Sequence, residues 1–140
     1  MTSPIRVREI DHVVLRVQDL KSSLRFYCEV LCCEKEREIE SLGLVQLRAG
    51  QSLIDLVPIE GELGRLGGAG PGAGGRNVDH IALRIVMDDL ADVVPFLDQQ
   101  NVAHGDIERR YGAEGYGRSL YLQDPDGNVV ELRGNPEPST

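Results

Sequence analysis

Two histidines and two carboxylates are the residues in this chain whose types and spacing could do chemistry together: His12, Asp55, His80 and Glu131. Imidazole nitrogens combined with carboxylate oxygens are the ligand types a first-row divalent ion takes. Any one of them alone reads as a strand residue that hydrogen-bonds its neighbours or pairs with Arg16, Arg84 or Arg133. Repetition makes them a set. Ile10-Asp11-His12-Val13-Val14-Leu15-Arg16-Val17 recurs as Val78-Asp79-His80-Ile81-Ala82-Leu83-Arg84-Ile85, with Asp, His, Leu and Arg in register. Side chains alternate across a strand, so Val13, Leu15 and Val17 face one way and His12, Val14 and Arg16 the other. The second copy sets Ile81, Leu83 and Ile85 against His80, Ala82 and Arg84. The same parity places Asp55 opposite Ile54 and Leu56, and Glu131 and Arg133 opposite Val130 and Leu132. Four potential ligands therefore occupy equivalent polar-face positions of a duplicated unit, and clustered carboxylates and imidazoles are costly to bury without a compensating charge.

The elements that must position them repeat as well. After each strand comes an acidic helix start, Asp19-Leu20 and Asp88-Asp89-Leu90, where a short carboxylate can cap free amides. The first helix is expected to bury Leu20, Leu24, Tyr27, Cys28 and Leu31, the second Leu90, Val93, Val94 and Leu97. Pro95 should kink or shorten the second. Strand signals follow at Leu44 to Arg48, Ser52 to Val57, Arg118 to Gln123 and Val129 to Arg133. The segment Asp124-Pro125-Asp126-Gly127-Asn128 is rich in residues that nucleate tight reversals. Gly61 to Gly75 holds eight of the 16 glycines together with Pro71 and reads as a linker or mobile loop. The stretch Tyr111 to Arg118 reads as a loop whose Gly112, Gly115 and Gly117 would allow a flap. Each half is thus strand, helix and about three strands, and neither alone covers both faces of its sheet. The 140 residues are expected to form a single domain: module 1 about 8–58, a Gly-rich linker 59–77, and module 2 about 78–134.

Composition bounds the partners. With 41% hydrophobic and 27% charged residues the chain has the balance of a globular protein. The 23 acidic and 15 basic residues give a net charge of -8 without any basic block, which excludes nucleic acid and anionic membranes as expected partners. No window approaches a membrane span, and Met1 to His12 lacks the apolar core of a secretory signal, so a cytoplasmic location is expected. Cys28, Cys32 and Cys33 are odd in number and bunched, which fits reduced structural thiols. His104, in the 101–106 stretch after the second helix, reads as a loop residue.

Taken together, these residues resemble the vicinal oxygen chelate superfamily, which includes glyoxalase I, bleomycin-resistance proteins, extradiol dioxygenases, methylmalonyl-CoA epimerase and fosfomycin-resistance thiol transferases. The resemblance spans about Ile10 to Gly134. Its carriers are Ile10-Asp11-His12, Phe26-Tyr27 with Val30-Leu31, Val78-Asp79-His80, and the run from Ser119 through Asp124-Pro125-Asp126-Gly127-Asn128 to Glu131-Leu132. It implies an α+β fold in which two paired βαβββ modules form a cupped, barrel-like mixed sheet with helices outside, one metal in the cup, and usually a homodimer. The metal positions fall on His12, His80 and Glu131, with Asp55 at a fourth, more variable position. The ion would be Fe, Mn, Ni, Co or Zn.

The implied function is a metal-dependent enzyme acting on a small substrate chelated through oxygens, of lyase, isomerase or dioxygenase type. Asp55 would complete the coordination or act as general base, and Tyr121 would steady a substrate oxygen. Arg16, Arg84, Arg118, Ser119 and Tyr121 are the candidate substrate contacts. Asp55 is one methylene shorter than the glutamate that shuttles the proton in glyoxalase I, which weakens the isomerase reading. Extradiol dioxygenases use a further histidine, which His104 is poorly placed to be. Ser119 and Tyr121 are similar to a Ser-x-Tyr pair of fosfomycin-resistance enzymes, so a thiol transferase is one alternative. A metal-free protein that sequesters a ligand, as bleomycin-resistance proteins do, is the other.

Overall fold

A computed structural model describes residues 2–138. The chain divides into two compact units, with the division between Gly70 and Pro71. The first unit contains β1 (His12–Val17), a helical segment begun by α1 (Leu20–Leu24), β2 (Glu34–Ile39), β3 (Leu44–Ala49) and β4 (Ser52–Pro58). The second contains β5 (His80–Arg84), a helical segment ending in α2 (Val94–Gln99), β6 (Glu108–Gly112), β7 (Gly115–Gln123) and β8 (Val129–Pro136). Each unit is an open four-stranded mixed sheet, in the orders β1-β4-β3-β2 and β5-β8-β7-β6, and neither closes on itself. The α+β class and the βαβββ order follow the sequence pattern.

In each unit the first strand pairs in parallel with the last, and the helical segment makes the crossover that such a pair requires. The register repeats too. His12 lies opposite Leu53 and Val14 opposite Asp55; His80 lies opposite Val129 and Ala82 opposite Glu131. Asp55 and Glu131 are therefore structural equivalents, each one pleat further along the last strand than its histidine. Arg16, opposite Val57, is likewise equivalent to Arg84, opposite Arg133.

The apolar side of each sheet forms its core. Leu15, Val17, Val45, Leu47, Ile54 and Leu56 are buried in the first unit, and Leu120, Leu122, Val130 and Leu132 in the second. The helices cover them differently from the periodic expectation. After Leu24 the first helix loosens into a π-helix over Arg25–Val30, with the Leu31 amide reaching the Phe26 carbonyl five residues back at 3.0 Å. The segment buries Ser23, Phe26, Tyr27 and Val30, the last three within the wider turn, and leaves Leu20, Leu24, Cys28 and Leu31 only half-buried. In the second unit a 3-10 turn over Leu90–Val93 passes into α2, and Pro95 stands in the first turn of α2, where its missing N–H costs no helical bond. Leu90 and Leu97 are buried there, whereas Val93 and Val94 are half-buried. Asp89 caps its turn by accepting from the Ala91 amide at 3.0 Å, while Asp19 makes no side-chain cap.

The reversal before β8 is built by Asp124, which accepts from the amides of Asp126 and Asn128 at 2.9 and 2.8 Å and from the Asn128 side chain at 2.8 Å. Gly127 takes the positive φ of 82° that this turn needs. The stretch read from sequence as a glycine loop, Tyr111 to Arg118, is instead a hairpin, with Gly112 paired to Gly115. Here glycine serves close approach: a Cβ on Gly112 would stand 2.7 Å from the Arg133 guanidinium. Among the described residues no helix is long and apolar enough to cross a membrane.

Candidate functional site

Each unit carries half of the expected ligand set on the polar face of its sheet. In the second unit, His80 Nε2 stands 3.4 Å from Glu131 Oε1. The other ring nitrogen, Nδ1, is 2.7 Å from an oxygen of Asp79. With Nδ1–H donating to that carboxylate, Nε2 carries the lone pair on the Glu131 side, which is how a carboxylate commonly orients a ligating imidazole. In the first unit, His12 Nδ1 meets Asp11 at 2.7 Å in the same way. That hydrogen bond holds the His12 pKa above its usual value against the opposing effect of burial, with the negative charges of Asp55 and Asp11 adding to it. The duplicated Asp-His dipeptide thus has a physical role, since it sets the same tautomer in both halves.

The two carboxylates are held by different neighbours. Asp55 is buried, its Oδ2 accepts from Gln46 Nε2 at 3.1 Å, and its Oδ1 is buried without a hydrogen-bond partner. Glu131 is buried at 5% exposure and its Oε2 accepts from Arg133 Nη1 at 2.7 Å. Burial pushes the Glu131 carboxyl up, but hydrogen bonds from Arg133 and Ser119 and the nearby positive charges outweigh it, so its pKa lies below the usual glutamate value. Each half-site therefore offers one imidazole nitrogen and one carboxylate oxygen. Among the described residues no three His, Cys, Asp or Glu side chains come together as a group able to hold a metal ion. The donor chemistry of each half fits a divalent ion, and the orphaned Asp55 Oδ1 is an acceptor that a cation would satisfy.

The remaining candidates separate sharply. Tyr121 lies opposite Glu131 in the β7–β8 register, with its ring edge-on to His80 at 5.6 Å between centroids. The Arg110 guanidinium covers that ring at 4.3 Å, so Tyr121 is clamped beside the histidine. A cavity of about 260 Å³ opens next to it, lined also by His104, Gln123 and Val129. Ser119 is fully buried, and both its carbonyl and its hydroxyl accept from Arg110 Nη1, at 2.9 and 3.0 Å. It braces Arg110 and Glu131.

Arg16 directs Nε, Nη1 and Nη2 at the carbonyls of Gly64, Gly67, Gly68 and Ala69, at 2.5 to 3.0 Å, and so ties down the glycine-rich segment. Arg84 ion-pairs with Glu114 at 3.0 Å. Arg118 is exposed on the opposite face of β7 from Ser119 and Tyr121.

His104 is bound on both sides, to the Gly105 carbonyl and to Asp98, as a loop residue would be. The cysteines are free, and burial pushes the Cys33 thiol up to about 11 and the Cys28 thiol up as well, which makes both poor nucleophiles. Sequence reasoning missed Gln46 and Arg110. Both act only through a neighbouring strand, and the cross-strand register that reveals them is not written in local periodicity.

Comparison with known proteins agrees with this architecture. The profile of the Glyoxalase/Bleomycin resistance protein/Dioxygenase superfamily matches residues 9–132. The virulence protein STM3117 of Salmonella typhimurium is 27% identical over 131 residues, covering 90% of this chain and 83% of the relative. Its crystal structure aligns with a TM-score of 0.72, at 29% identity, over 93% of this chain and 98% of the other. TnmS3, an antibiotic-binding protein of Streptomyces, shares the fold with a TM-score of 0.70 at 20% identity, over 95% of this chain and 99% of its own. So does lactoylglutathione lyase from Agrobacterium tumefaciens, with a TM-score of 0.64 at 21% identity, over 93% and 96%. On the strength of the matched profile and the repeated βαβββ units, the chain belongs to the glyoxalase, bleomycin-resistance and dioxygenase superfamily.

Proposed function

We propose that this chain is a divalent-metal-dependent enzyme acting on a small substrate that binds through two neighbouring oxygens. His12, His80 and Glu131 would hold the ion, with Asp55 as fourth ligand or as general base. The observation that carries the reading is the matched pair of half-sites: in each unit an aspartate fixes the imidazole tautomer, and a carboxylate sits on the same sheet face one pleat away. A complete ligand set needs one half-site of each kind, supplied by one chain or by two copies in a homodimer. A divalent ion so held supplies a Lewis acid that stabilises negative charge developing on a substrate oxygen.

The chain's own residues would do the rest. Asp55 keeps Oδ2 on Gln46 and leaves Oδ1 without a partner, the arrangement of a carboxylate able to take a proton from a substrate carbon. Tyr121, whose ring is held between Arg110 and His80, would donate its hydroxyl to a bound oxygen. The raised thiol pKa values of Cys28 and Cys33 give no support to chemistry through this chain's own cysteines. A lyase or isomerase that moves a proton through Asp55 is the form these residues support best.

The test is turnover of vicinal-oxygen substrates, 2-oxoaldehyde hemithioacetals and catechols among them, before and after chelation and after return of Mn, Fe, Ni, Co or Zn. Activity that disappears with the chelator and returns with an ion supports the enzyme. Ligand binding indifferent to chelation, with no turnover, would establish instead a sequestering protein.

A further inference from the structure

The internal repeat allows the same position to be read twice. Arg16 and Arg84 occupy equivalent places, four residues beyond the half-site histidine and on the same face of the first strand of each unit. In the first unit the guanidinium is surrounded by four backbone carbonyls of the glycine-rich segment. In the second unit, among the described residues, Arg84 donates to no backbone carbonyl. Arg84 has one carboxylate partner, Glu114, whose side chain is 63% exposed at the tip of the β6–β7 hairpin. Its Nε–H is buried without any partner.

The residue across the register from Arg84 is Arg133, also with a buried, unpartnered Nε. Paired in register on neighbouring parallel strands, the two side chains leave the same face of the sheet. Among the described residues one buried carboxylate, Glu131, is paired with either of them. Arg133 cannot withdraw, because Gly112 lies against its guanidinium and its Nη2 is held by the Arg110 carbonyl at 2.9 Å. A buried donor left without an acceptor is unfavourable, and two such donors at register-paired positions of one sheet face call for one.

We propose that Arg84, supported by Arg133, anchors an oxyanion group of the ligand, and that Glu114 occupies part of this anchor in the free protein as an internal competitor. The substrate class is thereby narrowed to small molecules that carry a carboxylate or phosphate-type group beside the oxygens presented to the His80 and Glu131 end of the sheet. Glu114 reaches this ion pair from an exposed position at the hairpin tip, so a ligand oxyanion can displace its carboxylate while leaving the hairpin in place. In the first unit the carbonyls around Arg16 take the equivalent donors, so the anchor is confined to one half.

This rests on reading the polar face as a ligand site, and its test is separable from the metal. Chelator-stripped, 15N-labelled protein is titrated with inorganic phosphate and, separately, with acetate, against chloride at equal ionic strength. The signals followed are the arginine Nε–H resonances of Arg84, assigned by its loss in Arg84→Lys, and of Arg133. The expected result is a saturable shift with at least one probe, the tighter probe naming the group. Half-saturation should fall about 2- to 5-fold in Glu114→Gln, which removes the competitor from an exposed turn. It should rise about 10-fold or more in Arg84→Gln, read on Arg133. Shifts no larger than with chloride, or equal half-saturation in wild type and either variant, would overturn the proposal. Neither result bears on whether the half-sites bind metal.

Discussion

Arg133 and Glu131 form a buried ion pair on one face of β8, Nη1 donating to Oε2 at 2.7 Å, with their side chains only 7% and 6% exposed. The contact fixes one carboxylate oxygen and leaves the other 3.4 Å from His80 Nε2. A buried pair of this kind is costly to desolvate, and removing one partner leaves the other charge uncompensated.

Arg133→Met should therefore destabilise the protein by about 3–5 kcal/mol in urea unfolding, although methionine fills much of the same volume. Arg133→Met with Glu131→Gln should recover part of that loss, because no lone charge is then buried. A single-variant loss under about 1 kcal/mol would mean that the pair contributes little to holding β8 in place.

His104 gives a pH signature. The Gly105 carbonyl first, then Asp98, hold its imidazole pKa above the ordinary 6.5, because both ring nitrogens face acceptors and the protonated ring satisfies both. A group whose folded pKa is raised contributes fully below its unfolded pKa and loses that contribution as pH rises through the folded value. Wild type should thus exceed His104→Gln in stability by more at about pH 5.5 than at about pH 8.5. Thermal melts at both values check it, and a difference that grows with pH would be the wrong sign.

Glycines differ in what they permit. A Cβ at Gly64 would lie 1.8 Å from the Pro58 carbonyl oxygen, whereas one at Gly75 meets nothing within 4 Å. Gly64→Ala should destabilise by about 1–3 kcal/mol or more through forced backbone movement, and Gly75→Ala by no more than about 0.5 kcal/mol. Equal denaturation midpoints for the two variants would contradict the packing of the glycine-rich segment under Arg16.

Much of this was legible in the sequence because the chain repeats itself. The Asp-His dipeptides and strand parity place His12, Asp55, His80 and Glu131 on polar faces, and the strand register of the structure has them there. Helical faces were less legible, since a π-helix over Arg25–Val30 moves the buried stripe without any glycine or proline to mark it. The roles of Arg16 and Ser119 were hidden for another reason. Whether an arginine or serine faces a ligand or a neighbour depends on which backbone carbonyls and side chains reach it, and here Gly64 to Ala69 reach Arg16 while Arg110 reaches Ser119.

The central claim, that the two half-sites share one divalent ion, is tested most directly by calorimetric titration of chelator-stripped protein with Mn²⁺, Co²⁺, Ni²⁺ and Zn²⁺. The account predicts about one ion per chain, since each chain contributes one half-site of each kind whether they meet within a chain or between two copies. Affinity should fall about 10-fold or more in each of His12→Ala, His80→Ala and Glu131→Ala, with the fold retained. Absence of binding by any of these ions, or binding that the loss of one half-site leaves unchanged, would contradict it.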